Sequence, residues 1–288
     1  MTAAGARALV LLPALLMGVA QMSSAQQPSP AAVGSSASST IEEPADQPHP
    51  RADENSLLAH QLLLRKKTQG RIDIYFLGDS ITRRWGAGED QYKDLLANWN
   101  HNFSGWNAAD FGWGGDKTQN VLWRLDQGEL DGVNPKIIVL MIGTNNIGTT
   151  SPAGDDPARI AAITRGIKSI VKVCRSKAPH ATLILMGITP RNDNIDAMRT
   201  INAINANLAK LADGTSIRYL NINNKLADSN GRLFPGMTNP DQLHLAVPAY
   251  QIWADALKPI FTELLGPPAS SDHAPPPTSD PSASSTAR

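Results

Sequence analysis

Between about Ala52 and Gly266 the chain alternates short apolar runs with longer segments whose apolar residues recur every three or four positions. Near-continuous apolar residues mark strands buried on both faces, and the runs predict strands over Ile72 to Leu77, Trp106 to Phe111, Lys136 to Ile142, Ala181 to Met186 and Ile217 to Ile222. Helix spacing covers Gln91 to Trp99, Thr118 to Leu125, Pro157 to Ser176, Asp196 to Leu211 and Pro248 to Leu265. In the last of these, Tyr250, Trp253, Ala254, Leu257, Ile260, Phe261 and Leu264 form one stripe, and Pro259 inside it predicts a kink. Strands alternating with helices join through right-handed crossovers, so the expected fold class is α/β, with a five-stranded parallel sheet covered on both faces. The absence of an internal repeat excludes a solenoid or a propeller.

In such a sheet every strand-to-helix loop opens on one edge, where ligands bind. Three polar, glycine-containing loops converge there: Gly78-Asp79-Ser80, Gly112-Trp113-Gly114-Gly115-Asp116 and Gly143-Thr144-Asn145-Asn146. Ser80 is therefore a candidate nucleophile, although Gly-Asp-Ser also makes an ordinary turn or helix cap. A serine needs a base. Of the six histidines, His49 and His273 fall in low-complexity ends, His60 lies in a helical stretch before the first strand, and His101 and His180 precede strands at the opposite edge. His244 remains, after the fifth strand, with Asp241 one turn of chain earlier to orient its ring; the alternative is a capping Asp241 beside a surface histidine. Oxyanion donors are expected from the backbone N–H groups of Ser80 and Gly115 and the carboxamide of Asn145, with Asp79 and Asn146 in support. Gly114-Gly115 also fits a plain tight turn, and Asn145 a loop-bracing amide. Trp85, Trp113 and Trp123 lie near these loops, where a ring stacks on sugar or fills a core.

Composition narrows the partners. Lys plus Arg and Asp plus Glu number 26 each, and the largest basic cluster is Arg65-Lys66-Lys67, which argues against nucleic acid or an anionic membrane as partner. The one cysteine, Cys174, sits in a helical apolar pattern and reads as buried; the scattered histidines offer no metal site, and no cofactor is expected. Met1 to Ala25, with Arg7, an apolar stretch from Ala8 to Ala20 that is too short to span a bilayer, and Ser23-Ser24-Ala25, has the pattern of a cleavable export signal. Residues 26–51 and 267–288, rich in Ser, Pro and Ala, read as a disordered linker and tail around one domain over 52–266.

Taken together, Gly78-Asp79-Ser80, Gly114-Gly115, Gly143-Thr144-Asn145-Asn146 and Asp241-x-x-His244 resemble, in order and spacing, the blocks of the SGNH (GDSL) hydrolase family. The stretch from Gly114 through Trp123-Arg124-Leu125 and Gly128-Glu129-Leu130 to Asn146 is similar to the platelet-activating-factor acetylhydrolase Ib catalytic subunits. The resemblance implies a flavodoxin-like three-layer fold, Ser80 as nucleophile, His244 as base, Asp241 as its orienter, and Ser80, Gly115 and Asn145 as oxyanion donors. Joined to the export pattern of Met1 to Ala25, in which the chain departs from those subunits, it leads to the expectation of an exported serine esterase for short-chain, acetyl-type esters of small or glycan-linked alcohols. An acyltransferase using the same triad and a non-catalytic carbohydrate- or lipid-binding module are the alternatives. Oligomeric state is open at this stage.

Overall fold

A computed structural model describes residues 43–149 and 156–284, all within one unit spanning Glu42–Arg288. The expected export signal and most of the expected linker lie outside the described residues. Five parallel strands, β1 (Ile74–Gly78), β2 (Ala108–Gly112), β3 (Ile137–Met141), β4 (Thr182–Met186) and β5 (Ile217–Leu220), form a sheet in the order β2-β1-β3-β4-β5. That order reverses direction at β1, the flavodoxin-like topology whose ligand crevice opens beside the first strand.

Alternation along each strand divides the apolar side chains between two layers. Tyr75, Leu77, Ala109, Phe111, Leu140 and Leu185 face α1 (Glu54–Lys66), α4 (Thr118–Asp126), α6 (Pro157–Lys177) and α7 (Ala197–Ala209). On the other face Ile74, Phe76, Val139 and Ile184 meet α2 (Ser80–Trp85), α3 (Lys93–Phe103), α8 (Asn223–Leu226) and α9 (Val247–Leu265). The short helix α5 (Thr144–Ile147) follows β3 directly. Period-2 alternation within all-apolar runs is what lets one strand supply both layers. Pro259 lies inside α9 without ending it, and Cys174 is buried in α6, where burial pushes its thiol up to about 12.

Parts of the two ends expected as linker and tail are among the described residues and make hydrogen bonds to the domain. Residues 43–51 lie along the start of α4: Ala45 O accepts from Thr118 Oγ1 at 2.7 Å, and His49 exchanges bonds with Gln119 O and the Asn120 carboxamide. Residues 267–282 run beside β2, where Asp272 accepts from the Gly105 amide at 2.7 Å, Ala269 N donates to Gly105 O, and His273 O accepts from Arg71 N at 2.8 Å. Both segments are poor in apolar side chains and are held through backbone groups. Their prolines leave less conformational entropy to lose on ordering, which a count of apolar residues overlooks.

Candidate active site

Gly78 at the end of β1 is in register with Gly112 of β2 and Met141 of β3, so the three loops leave adjacent strands about 5 Å apart. Only glycine fits there, since a Cβ would stand 2.2 Å from Thr82 Oγ1 and 2.3 Å from Met141 O. The next residue, Asp79, takes the capping role: its Oδ1 accepts from Ile81 N at 2.9 Å. Ser80 is thereby freed to present a half-buried hydroxyl at the first position of α2. Asp79 itself is enclosed, and burial raises its carboxyl to about 7.

His244 approaches from the far end of the chain. The segment before α9 is drawn tight by Asn239 N to His244 O at 2.8 Å and Ala246 N to Met237 O at 3.0 Å, with Gln242 in a left-handed turn at φ +60°. Asp241 Oδ1 accepts from the backbone of Leu243 (3.1 Å) and His244 (2.9 Å), which leaves Oδ2 facing the ring. The imidazole Nδ1 donates to Asp241 Oδ2 at 2.7 Å, and Nε2 lies 2.8 Å from Ser80 Oγ, the geometry in which Nε2 accepts the serine proton. Burial tends to raise the Asp241 carboxyl, but the two backbone N–H bonds and the imidazole outweigh it and hold the group at about 2. The His244 ring is held below its ordinary value, first by burial and then by the charge of Arg84, against the opposing pull of Asp241 and Asp193. Its neutral, proton-accepting form therefore prevails at neutral pH.

The loops that carry the other two expected oxyanion donors follow β2 and β3, the strands on either side of β1. Gly115 is exposed in a left-handed turn at φ +77°. The Asn145 carboxamide donates one hydrogen to Asp116 O at 2.8 Å, next to Gly115, and its second N–H stays available. Asn146 braces the same loops, accepting from Thr118 N at 2.9 Å and donating to Gln119 at 3.0 Å.

Several residues that bond to these loops were not apparent from the sequence. Arg84 Nη1 donates to Asp241 Oδ2 at 3.1 Å. Arg191, buried after β4, donates to Thr144 O at 3.1 Å and pairs with Asp193, while the amides of Asn192 and Asp193 donate to Gln242 O. This fourth loop ties the Asn145 turn to the histidine segment, and its position at the same sheet edge was the available signal. Beneath Gly115, buried Arg124 joins Asp116 (2.8 Å) to Glu129, which also accepts from Tyr75 at 3.0 Å. Arg51 reaches over the turn to Gly114 O at 2.8 Å. Of the three tryptophans, Trp85 and Trp113 are buried, so neither offers a stacking surface, and Trp123 leans on the His60 ring at 4.8 Å. Among the described residues no group of three His, Cys, Asp or Glu side chains could hold a metal ion, and no helix is long and apolar enough to cross a membrane.

This chain is similar to known proteins on several counts. It is 30% identical over 230 residues to the platelet-activating factor acetylhydrolase IB subunit alpha1 of Bos taurus, covering 78% of this chain and 91% of that one. It shares its fold with a GDSL-like lipase from Bacteroides thetaiotaomicron, with a TM-score of 0.54 at 19% identity over 73% of this chain and 96% of that one. A variant of an acetyl-xylooligosaccharide esterase from Geobacillus superposes with a TM-score of 0.50 at 17% identity, over 70% and 99%. The sequence pattern of GDSL-like lipases and acylhydrolases matches residues 76–252, more than half of the chain, and with this relative and this fold the chain belongs to the GDSL-like lipase/acylhydrolase family.

Proposed function

We propose that this acylhydrolase is an exported serine esterase that removes a short acyl group, acetyl above all, from an alcohol. The observation that carries the reading is the continuous line Asp241 Oδ2, His244, Ser80 Oγ, with links of 2.7 and 2.8 Å. Ser80 Oγ attacks the ester carbonyl as its proton passes to His244 Nε2. The carbonyl π bond opens, and its electron pair settles on the oxygen, which accepts from Ser80 N–H, Gly115 N–H and the free N–H of Asn145. Collapse re-forms the carbonyl and breaks the bond to the alcohol oxygen, which leaves with the Nε2 proton. Water then attacks the acyl-serine, gives a proton to Nε2 and releases the acid, returning the proton to Ser80. Asp241 stabilises the imidazolium at both stages and stays ionised, in keeping with its depressed value.

A short acyl chain is favoured by the name of the bovine relative, an acetylhydrolase. Export rests on the pattern of Met1 to Ala25. The test is hydrolysis of p-nitrophenyl acetate through octanoate by the protein and by Ser80→Ala side by side. Serine-dependent cleavage strongest on acetate is expected. Cleavage by Ser80→Ala at the wild-type rate would overturn the mechanism, and a preference for octanoate would overturn the acyl assignment.

A further inference from the structure

Arg84 stands four residues beyond Ser80 on the same short helix, one turn further along. Its Nη1 donates to Asp241 Oδ2, the oxygen that also receives Nδ1 of His244. We propose that Arg84 is a positioning residue of the triad, which pins the Asp241 carboxylate to the helix carrying the nucleophile and so sets the pairing of Asp241 with the His244 ring. The proposal rests on the reading of Ser80, His244 and Asp241 given above.

Asp241 needs such a tether. It lies on an exposed loop with 42% of its side chain open to solvent, and its Oδ1 is already taken by two backbone amides. Arg84 is more enclosed, at 22%, with its guanidinium 5.5 Å from the centre of the Tyr92 ring. Arg84 and Tyr92 border a cleft of about 710 Å³, which Asn239, Val247 and Pro248 also line. The charged groups facing His244 come from three elements: Asp241 on its own segment, Asp193 after β4, and Arg84 on α2. The two carboxylates favour the imidazolium; Arg84 alone among them opposes it. By sharing Oδ2, the guanidinium also takes up part of the negative charge that would otherwise stabilise the protonated ring.

A plain surface ion pair would add up to about 1 kcal/mol of stability and nothing else. The proposal requires more, so its readouts are the pH profile and the ring's own titration. In kcat/KM for p-nitrophenyl acetate against pH, the acid limb of Arg84→Gln is expected to move to higher pH. On the plateau its turnover falls about fivefold, the factor equivalent to ~1 kcal/mol, with KM unchanged. Arg84→Lys, which keeps the charge, returns the limb towards its wild-type position. The second measurement does not depend on catalysis: the imidazole Cε1–H resonance of His244 is titrated in Ser80→Ala with and without Arg84→Gln, and its midpoint rises when the arginine is lost. Superimposable His244 titrations, or an unshifted acid limb in a folded Arg84→Gln protein, would overturn the proposal. Esterase activity surviving in Ser80→Ala would instead defeat the triad reading, while the titration still decides the coupling of Arg84 to the ring.

Discussion

Replacing Gly115 by alanine tests the oxyanion assignment through backbone geometry. The residue sits at φ +77°, and a β-carbon there would come 2.7 Å from Arg51 Nη1. An L-residue in the left-handed region costs about 1–2 kcal/mol. The guanidinium is the far end of a flexible chain and yields, giving up its 2.8 Å bond to Gly114 O, which adds about 1 kcal/mol. A total of about 2–3 kcal/mol lowers Tm by roughly 4–12 °C for a domain of this size. If the Gly115 N–H serves the oxyanion, its displacement also costs about 10²-fold in kcat, the lower end for loss of one donor. Two controls separate the effects. Gly132 has the same φ of +77° with open space around it, so Gly132→Ala carries the strain alone; Gly114 has no atom within 4 Å of a built Cβ and no positive φ, so Gly114→Ala leaves stability near wild type. Thermal melts by circular dichroism and kcat on p-nitrophenyl acetate read both quantities. A Gly115→Ala protein that melts early yet keeps wild-type kcat would refute the role of this N–H, and one that melts with the wild type would refute the strain.

Asp241→Asn is expected to lower kcat by up to about 10⁴, the loss known for the same change in another triad, because the amide favours the wrong imidazole tautomer; near-normal turnover in a folded variant would remove Asp241 from the mechanism. Asp79 is pushed up to about 7 from an ordinary value of 3.8, so its folded form disfavours ionisation and stability falls as pH rises from about 4 through 7. Asp79→Asn should therefore melt above the wild type at pH 8 and with it at pH 4, and equal melting at both would contradict the burial argument. Asp272→Ala removes the acceptor of the Gly105 amide and should lower Tm by roughly 2–4 °C, for about 1 kcal/mol, with kcat untouched. A melt identical to the wild type would show that the tail is not held there.

Sequence made the strands, the main helices and the order of the loops legible, because apolar runs of strand length and three-to-four spacing are strong local signals. The predicted strand Ile72 to Leu77 begins two residues before the observed Ile74–Gly78, since Ile72 is apolar but lies ahead of the ladder. Ser80, Asp241 and His244 could be paired in advance because parallel topology sends their loops to one edge, and the 2.8 Å approach of His244 to Ser80 agrees with that. Arg84, Arg191 and Arg51 were hidden for the opposite reason. Arginines on a short helix and in loops look like ordinary surface charge until the chain folds a carboxylate or a carbonyl against them. The bonds that residues 43–51 and 267–282 make to the domain were hidden as well, since backbone hydrogen bonds leave no trace in side-chain hydropathy.

The tail beside β2 has a consequence for association. β2 is an outer strand of the sheet, and an outer strand exposes unpaired peptide groups to any second chain with a free edge of its own. Here Lys66 Nζ donates to Asp110 O at 2.8 Å, while Asp272, Ala274 and Pro275 to Pro277 border the space next to Ala108, Ala109 and Asp110. Proline has no N–H to offer an incoming strand. The segment that composition would trim away as filler thus guards the sheet, and shortening the chain at Gly266 would turn a shielded margin into a template on which copies of the protein aggregate.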